Sequence, residues 1–170
     1  MHLILWALAL LIQNPWQIQA DQVAVDFKIK NAGLNVEGHF GDFRGNIVFD
    51  PAAPENGQIF ASVGTSTIDT GIGMRDRHLK KDDYFHAEKY PRLTFTSTAI
   101  RKSDDGYIAV GTLDIKGTQK EVEVPFTFEN NVFQGELSLN RRDYGVGGKS
   151  LTLSNSVFIS IRIPVTSAAP

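Results

Sequence analysis

The chain of 170 residues contains no cysteine. Disulfides, thiolate catalysis, cysteine-ligated zinc, iron–sulfur clusters and a lipidated cysteine anchor are all excluded. A charge excess is missing too: 17 Lys and Arg face 19 Asp and Glu, a formal net charge of −2. No basic surplus marks the whole chain as a partner of nucleic acid or of an anionic membrane surface. The first twenty residues, MHLILWALALLIQNPWQIQA, hold none of these charges. The apolar run Leu3–Ile12 is too short to span a bilayer, which takes about 20 residues, but suits the hydrophobic region of a signal peptide. A leader over residues 1–15 is expected, with Ala20 small enough for the residue before a later cut. A buried N-terminal helix is the alternative. Removal of a leader implies a periplasmic or secreted protein with no transmembrane segment in the mature chain, and the absence of thiols suits either side of the membrane.

What is present is ordinary for a globular protein: 42% hydrophobic and 21% charged residues, in a length that fits one domain. Beyond Ala20 the dominant period is two, the signature of half-buried strands. Val23, Val25, Phe27 and Ile29 alternate with Ala24, Asp26, Lys28 and Lys30. Val36, Gly38 and Phe40 continue after the turn signal Asn31–Ala32–Gly33, and Phe43, Gly45, Ile47 and Phe49 follow. Further strands are expected at 58–69, 93–100, 107–115, 121–128, 133–139 and 156–165. Between them stand turn signals such as Asp104–Asp105–Gly106, Lys116–Gly117 and Glu129–Asn130–Asn131. Many strands at this spacing argue an antiparallel sandwich or barrel. One stretch departs from the period: GIGMRDRHLKKDDYFHAEKY, Gly71–Tyr90, where charge density rises and a short helical excursion around residues 74–83 is expected.

All eleven phenylalanines lie beyond residue 20, most at alternating positions. An eight-stranded barrel is just wide enough to be filled by its own side chains or to hold one small ligand. Gly38, Ala61, Ala109, Gly111 and Gly135 are small inward candidates that leave room beside the phenylalanines. Glycines that serve only tight strand bends are the competing reading.

Catalytic and cofactor motifs fail on inspection, and no cofactor or metal is expected. GVGGKS at Gly145–Ser150 ends like a phosphate-binding loop, but the glycine required five residues before Gly148 is Asp143, and a strand follows instead of a helix. His86–Ala87–Glu88 begins like a deaminase motif whose metal-binding cysteines do not exist. There is no GxSxG elbow and no HExxH. His39, His78 and His86, with Asp76, Asp82 and Asp83, read better as solvated surface than as metal ligands. Arg75 suits an anionic head group. Asp76 reads as the anchor of an arginine or a backbone amide, and the role of His78 is left open.

The stretch STIDTGIGMRDRHLKKDDYFHAEKYPRLTFTST, Ser66–Thr98, closely resembles the central signature of the YceI-like family of bacterial lipocalin-like, polyisoprenoid-binding proteins. The resemblance extends to VDFKIKNAGLNVEGHFGDFRGNIVFDP at Val25–Pro51, to VGTLDIKGTQKEVEVPFTF at Val110–Phe128 and to LNRRDYGVG at Leu139–Gly147. It covers nearly all of residues 16–165. It implies an all-β fold, an eight-stranded antiparallel lipocalin-like barrel over residues 16–166, whose apolar cavity holds a long isoprenoid or similar lipid tail. No catalytic activity is established as common to the family. Asn31 stands where members commonly carry a histidine, and Trp16 stands where they start the first strand with an aromatic residue.

Non-catalytic sequestration or transport of a long-chain isoprenoid or similar amphiphilic lipid is the function implied. From strand phase, Phe27, Ile29, Val36, Phe40, Phe95, Leu113, Phe126, Leu137, Ile159 and Ile161 are expected to line the cavity, with Arg75 and His78 at its head-group end. The competing readings are a stress-related or partner-binding protein with a filled barrel, and an enzyme acting on a lipid head group through His78 and Asp76. A homodimer is compatible with any of the three.

Overall fold

The computed structural model describes residues 16–148 and 150–167. The expected leader, residues 1–15, lies outside them. The chain forms β1 (Gln17–Ile18), β2 (Ala24–Asn31), β3 (Leu34–His39), β4 (Arg44–Val48), β5 (Gln58–Gly64), α1 (Gly73–Leu79), β6 (Arg92–Ser103), β7 (Gly106–Ile115), β8 (Thr118–Glu129), β9 (Val132–Asn140) and β10 (Leu153–Thr166). All pairings are antiparallel. The spatial order β3-β2-β10-β9-β8-β7-β6-β5-β4 makes one sheet curled into a half-barrel. The turn signals act as chemistry requires: Ala32–Gly33, Lys116–Gly117 and Asn130–Asn131 each place two residues at positive φ, as in two-residue hairpin turns that match strand twist.

The all-β antiparallel architecture is the expected one, with ten strand segments where eight were anticipated. Two features add them. The chain bends at Phe40–Phe43, where Asp42 takes a φ of 47°, and so separates β3 from β4. Upstream, Trp16 docks on the sheet and leaves the two-residue β1 beside it. The fifth strand ends at Gly64, short of Asp69, in a 3-10 turn over Thr65–Thr67.

The helix is shorter than the expected span 74–83. It stops at Leu79, where Lys81 N–H bonds to the His78 carbonyl, three residues back. The amides of Phe85, His86 and Ala87 then fold back on the carbonyls of Leu79, Lys81 and Lys80. Those bonds occupy acceptors that a continuing helix would have used.

Sheet curling leaves β3 and β4 as opposite edges, and no ladder joins them among the described residues. They are tied at points instead. His39 and Asp69 exchange both backbone bonds, Gly64 N–H donates to Gly41 O, and Gly41 N–H donates to Thr67 Oγ1. Arg92 on β6 reaches across to Asp42, donating to Oδ2 and to the carbonyl, both at 2.6 Å. At the other end β1 pairs with β10, while Trp16 N–H donates to Ile47 O and Trp16 Nε1 to Phe49 O. β1 thereby laces the last strand to β4.

Asn tolerates positive φ as Asp does, so D42N removes the charge at the seam and keeps the backbone. Its hydrogen bond to Arg92, helped by the charge of Arg44, holds the Asp42 carboxyl below the usual carboxylate value. A depressed native value means that this contribution is complete above about pH 4 and disappears as pH falls through the lower folded value. D42N is expected to lower the urea midpoint at pH 7, and the gap from wild type should close on acidification below about pH 4. A gap unchanged at the acid end would show that the carboxylate charge is not what ties the seam.

A lipid-sized cavity with one sealed and one polar end

The inner face of the sheet encloses a cavity of about 640 Å³, within the ~300–1,000 Å³ range of small-molecule sites. Its walls follow strand phase. Phe27 and Ile29 project from β2, Val36 from β3, Phe95 from β6, Leu113 from β7, Phe126 from β8, Leu137 from β9, and Ile159 and Ile161 from β10. Phe40 borders the cavity just past β3, its ring 5.5 Å from both Phe27 and Phe85. Arg75 and His78 border it from α1. All twelve residues singled out from the sequence thus lie around one space.

One end is sealed. Phe49 makes edge contacts with Tyr107, Phe126, Phe128 and Phe133 at centroid distances of 4.9 to 5.6 Å. Trp16 covers Phe128 at 5.1 Å. Ile47, Ile100, Ile163 and Val165 complete this plug. Filled and open barrels are therefore both present, in different halves of one shell.

Three of the five small candidates, Ala61, Ala109 and Gly135, border the cavity. Gly38 and Gly111 do not open space as expected, because aromatic rings lie on them. A Cβ at Gly38 would sit 2.5 Å from the Phe27 ring, and one at Gly111 would sit 2.8 Å from the Phe95 ring and 2.3 Å from Thr96 O. These glycines let wall phenylalanines lie flat against the sheet.

The opposite end gathers most of the polar groups, while Asp26, Ser62 and Thr94 line the cavity from β2, β5 and β6. Thr70, Arg75, His78 and Tyr84 come from the excursion, and Arg141, Tyr144, Ser150 and Thr152 from the β9–β10 connection. The two segments meet where Gly147 N–H donates to Asp83 O, and Ile115, Tyr144 and Val146 pack with Tyr84 and Phe85. Arg75 Nε and Nη2 donate to Thr70 Oγ1 and Thr70 O, both at 2.7 Å. Thr70 in turn donates its hydroxyl and its amide to Asp76 Oδ1.

Asp76 therefore anchors a backbone amide, and the acid–base pair considered for His78 and Asp76 is not formed. His78 Nε2 faces Asp83 Oδ2 at 3.1 Å instead, and its ring packs on Tyr84. Residues 76 and 78 are too close in sequence to share one face of a helix, whereas the turn after Leu79 brings Asp83 back. Among the described residues no group of three His, Asp or Glu is placed to hold a metal ion. No helix among them is long and apolar enough to cross a membrane.

Arg141 was not singled out from the sequence, although it stands within the LNRRDYGVG motif. It is 3% exposed and has no carboxylate partner among the described residues. Its guanidinium donates to the carbonyls of Val146, Leu153 and Ser154 at 2.7 to 3.1 Å, with Gly148 O at 3.4 Å. Burial, with Arg142 beside it, pushes Arg141 below the ordinary arginine range, and burial raises the neighbouring Tyr144 phenol. Arginine keeps its charge at neutral pH even so, and the charge pins the loop that frames this end of the cavity.

Residues 16–165 match the family described as YceI-like domain. A UPF0312 protein of Pectobacterium atrosepticum is 28% identical over 149 residues, covering 81% of this chain and 78% of its own length. Another, from Yersinia enterocolitica, is 35% identical over 99 residues, 58% of this chain and 52% of that protein. The chain thus spans about half the length of the Yersinia relative. Among solved structures, BcnA of Burkholderia cenocepacia is similar with a TM-score of 0.82 and 28% identity, over 86% of this chain and 98% of that one. A domain from Saccharophagus degradans, described as polyisoprenoid-binding, shares the fold with a TM-score of 0.69 and 14% identity, over 90% of this chain and 98% of that one.

The glycine geometry separates two substitutions of equal size. G135A places its Cβ no closer than 3.4 Å to any neighbour, whereas G111A meets Thr96 O at 2.3 Å. Chemical denaturation should find G111A less stable by about 1–3 kcal/mol, the cost of overpacking, and G135A within about 0.5 kcal/mol of wild type. Equal losses would mean that β6 does not crowd Gly111 in this way.

Proposed function

The chain belongs to the YceI-like family, and on that premise we propose that it binds one long-chain isoprenoid or similar amphiphilic lipid and shields it from water, without chemistry on it. The observation that carries this reading is the cavity's asymmetry. Its walls are mostly apolar along the strands, with Asp26, Ser62 and Thr94 the polar residues among them; its far end is closed by aromatic rings, and most of its hydrogen-bonding groups stand at the other end. An amphiphile has that same distribution. Each methylene removed from water contributes about 0.8 kcal/mol, so ten contribute ~8 kcal/mol before association costs are subtracted. The polyisoprenoid-binding description of the Saccharophagus domain supports the idea that such a shell takes such a tail.

A binding role fits the excursion better than an enzymatic one, since Asp76 is committed to Thr70 and His78 to the exposed Asp83. The tail would run along Phe95, Leu113, Leu137 and Ile159 toward the plug, with its head near Arg75, Tyr84 and Thr152. We also place the protein outside the cytoplasm, its leader removed ahead of Trp16. That placement rests on the uncharged apolar start of the chain and on the bonds that make Trp16 part of the fold.

Mass spectrometry of protein isolated from its own host tests these statements together. The denatured mass should correspond to a chain beginning near residue 16 and retaining Trp16. The native spectrum should carry an adduct of several hundred daltons, on the scale of a polyprenyl tail, that extracts into organic solvent. A bare native mass that stays unchanged after polyprenols are added would refute the binding reading. G135L adds bulk to the cavity from a wall position where a Cβ meets only ordinary van der Waals contacts. It should weaken binding of a fluorescent polyprenol analogue by about tenfold or more while leaving the melting temperature within a few degrees.

A further inference from the structure

Residues that border the cavity and are also exposed mark where it opens. Besides His78 at the edge of the excursion and Asp26 within β2, they are Asn31, Ile72, Met74 and Thr152, which come from three separate turns. Two of these turns are in direct contact, because Ala32 N–H donates to Thr152 O at 2.8 Å and Asn31 pairs with both Leu34 and Leu153. Leu34 and Leu151 stand on them, 73% and 101% exposed, and Ile72 and Met74 add 53% and 75%. Four of the six exposed large hydrophobic residues among those described therefore frame one opening. The other two, Phe60 and Phe158, lie on the outer wall of β5 and β10.

The charge of this rim differs from that of the chain. Residues 30–36, 70–75 and 150–153 contain no Asp or Glu but include Lys30 and Arg75, in a protein whose formal charge is −2. The flanking carboxylates each have a partner within the chain: Asp69 Oδ1 accepts from Gly71 N–H, Asp76 accepts from Thr70, Glu37 pairs with Lys28 on the surface, Asp83 faces His78, and Asp82 accepts from Asp83 N–H. An acid-free, weakly basic ring of exposed aliphatic side chains complements an anionic bilayer surface. Its side chains run without interruption into the apolar wall behind them, Ile72 and Met74 bordering the cavity themselves.

We propose that this mouth docks on a bilayer containing anionic phospholipid, with Leu34, Ile72, Met74 and Leu151 inserted, so that a lipid moves between membrane and cavity without crossing water. The inference rests on the lipid-binding reading above. Leu34 and Leu151 stand outside the cavity lining, so L34S/L151S alters the surface and leaves the cavity intact.

The test is flotation of the full chain with vesicles of phosphatidylcholine alone or with about 30% phosphatidylglycerol, run beside solution binding of a fluorescent polyprenol analogue. Wild type should float with the anionic vesicles, less so in about 0.5 M salt. L34S/L151S should float about tenfold less, with unchanged analogue affinity and melting temperature. F60S/F158S, on the outer wall, should float like wild type. Equal flotation of L34S/L151S and wild type, no flotation of wild type, or a stable dimer that buries Leu34 and Leu151 would each overturn the docking proposal. Flotation that depends on the mouth, together with no analogue binding in solution, would overturn the cargo reading and leave the docking surface standing.

Discussion

A curled sheet has two edges, and this protein's cavity exists only while those edges stay together. Nothing in strand pairing alone joins β3 to β4. The work falls to the Phe40–Phe43 bend at one end of the seam and to Trp16 at the other. Arg92 is suited to the first task because its planar fork can hold a carboxylate and a carbonyl of the same residue at once. It also donates to Ser62 Oγ, whose hydroxyl is bonded to Arg44 O, so one guanidinium fixes β4, β5, β6 and the bend together. Trp16 makes the second tie with both a backbone and an indole donor while covering the aromatic plug. Both ties use groups whose bonds keep fixed directions, as a seam under the curvature of a barrel needs.

The seam also decides what kind of interior results. At the plugged end the phenylalanines meet one another across the shell and exclude space. Farther along, glycines at 38 and 111 let Phe27 and Phe95 lie against their own wall instead of reaching across. The same residue type therefore fills one half of the barrel and lines the other, and the difference is set by the backbone opposite each ring. The polar end has its own logic. A buried guanidinium without a carboxylate partner is costly unless its donors are occupied, and Arg141 occupies them with carbonyls of the loop it encloses. The result is a rigid rim beside an apolar chamber.

Much of this architecture was legible in the chain. Alternation with period two, interrupted by turn residues that tolerate positive φ, is enough to place β2 through β10 and the facing of Phe27, Phe95, Leu113 and Ile159. Strand phase is a local property, and local patterns report it well. The features that escaped are those set by residues far apart. The division into plug and chamber depends on which rings meet across the shell, such as Phe49 with Phe133. The pairing of His78 with Asp83 depends on where α1 ends, which is fixed by amides returning from residues 85–87. Register also slips between Ser97 and Ala99, so that Ile100 points inward where strict alternation from Phe95 would turn it out. Arg141 sat inside a recognisable motif, yet its type alone does not distinguish a buried loop clamp from a solvated surface charge.

The pairing of β1 with β10 sets Gln17 opposite Thr166, so both ends of the domain leave the shell side by side at the plugged pole. The mouth lies at the other pole, where β2 ends and β10 begins. Any attachment through either end therefore joins the cup at its closed base, on the side opposite the opening.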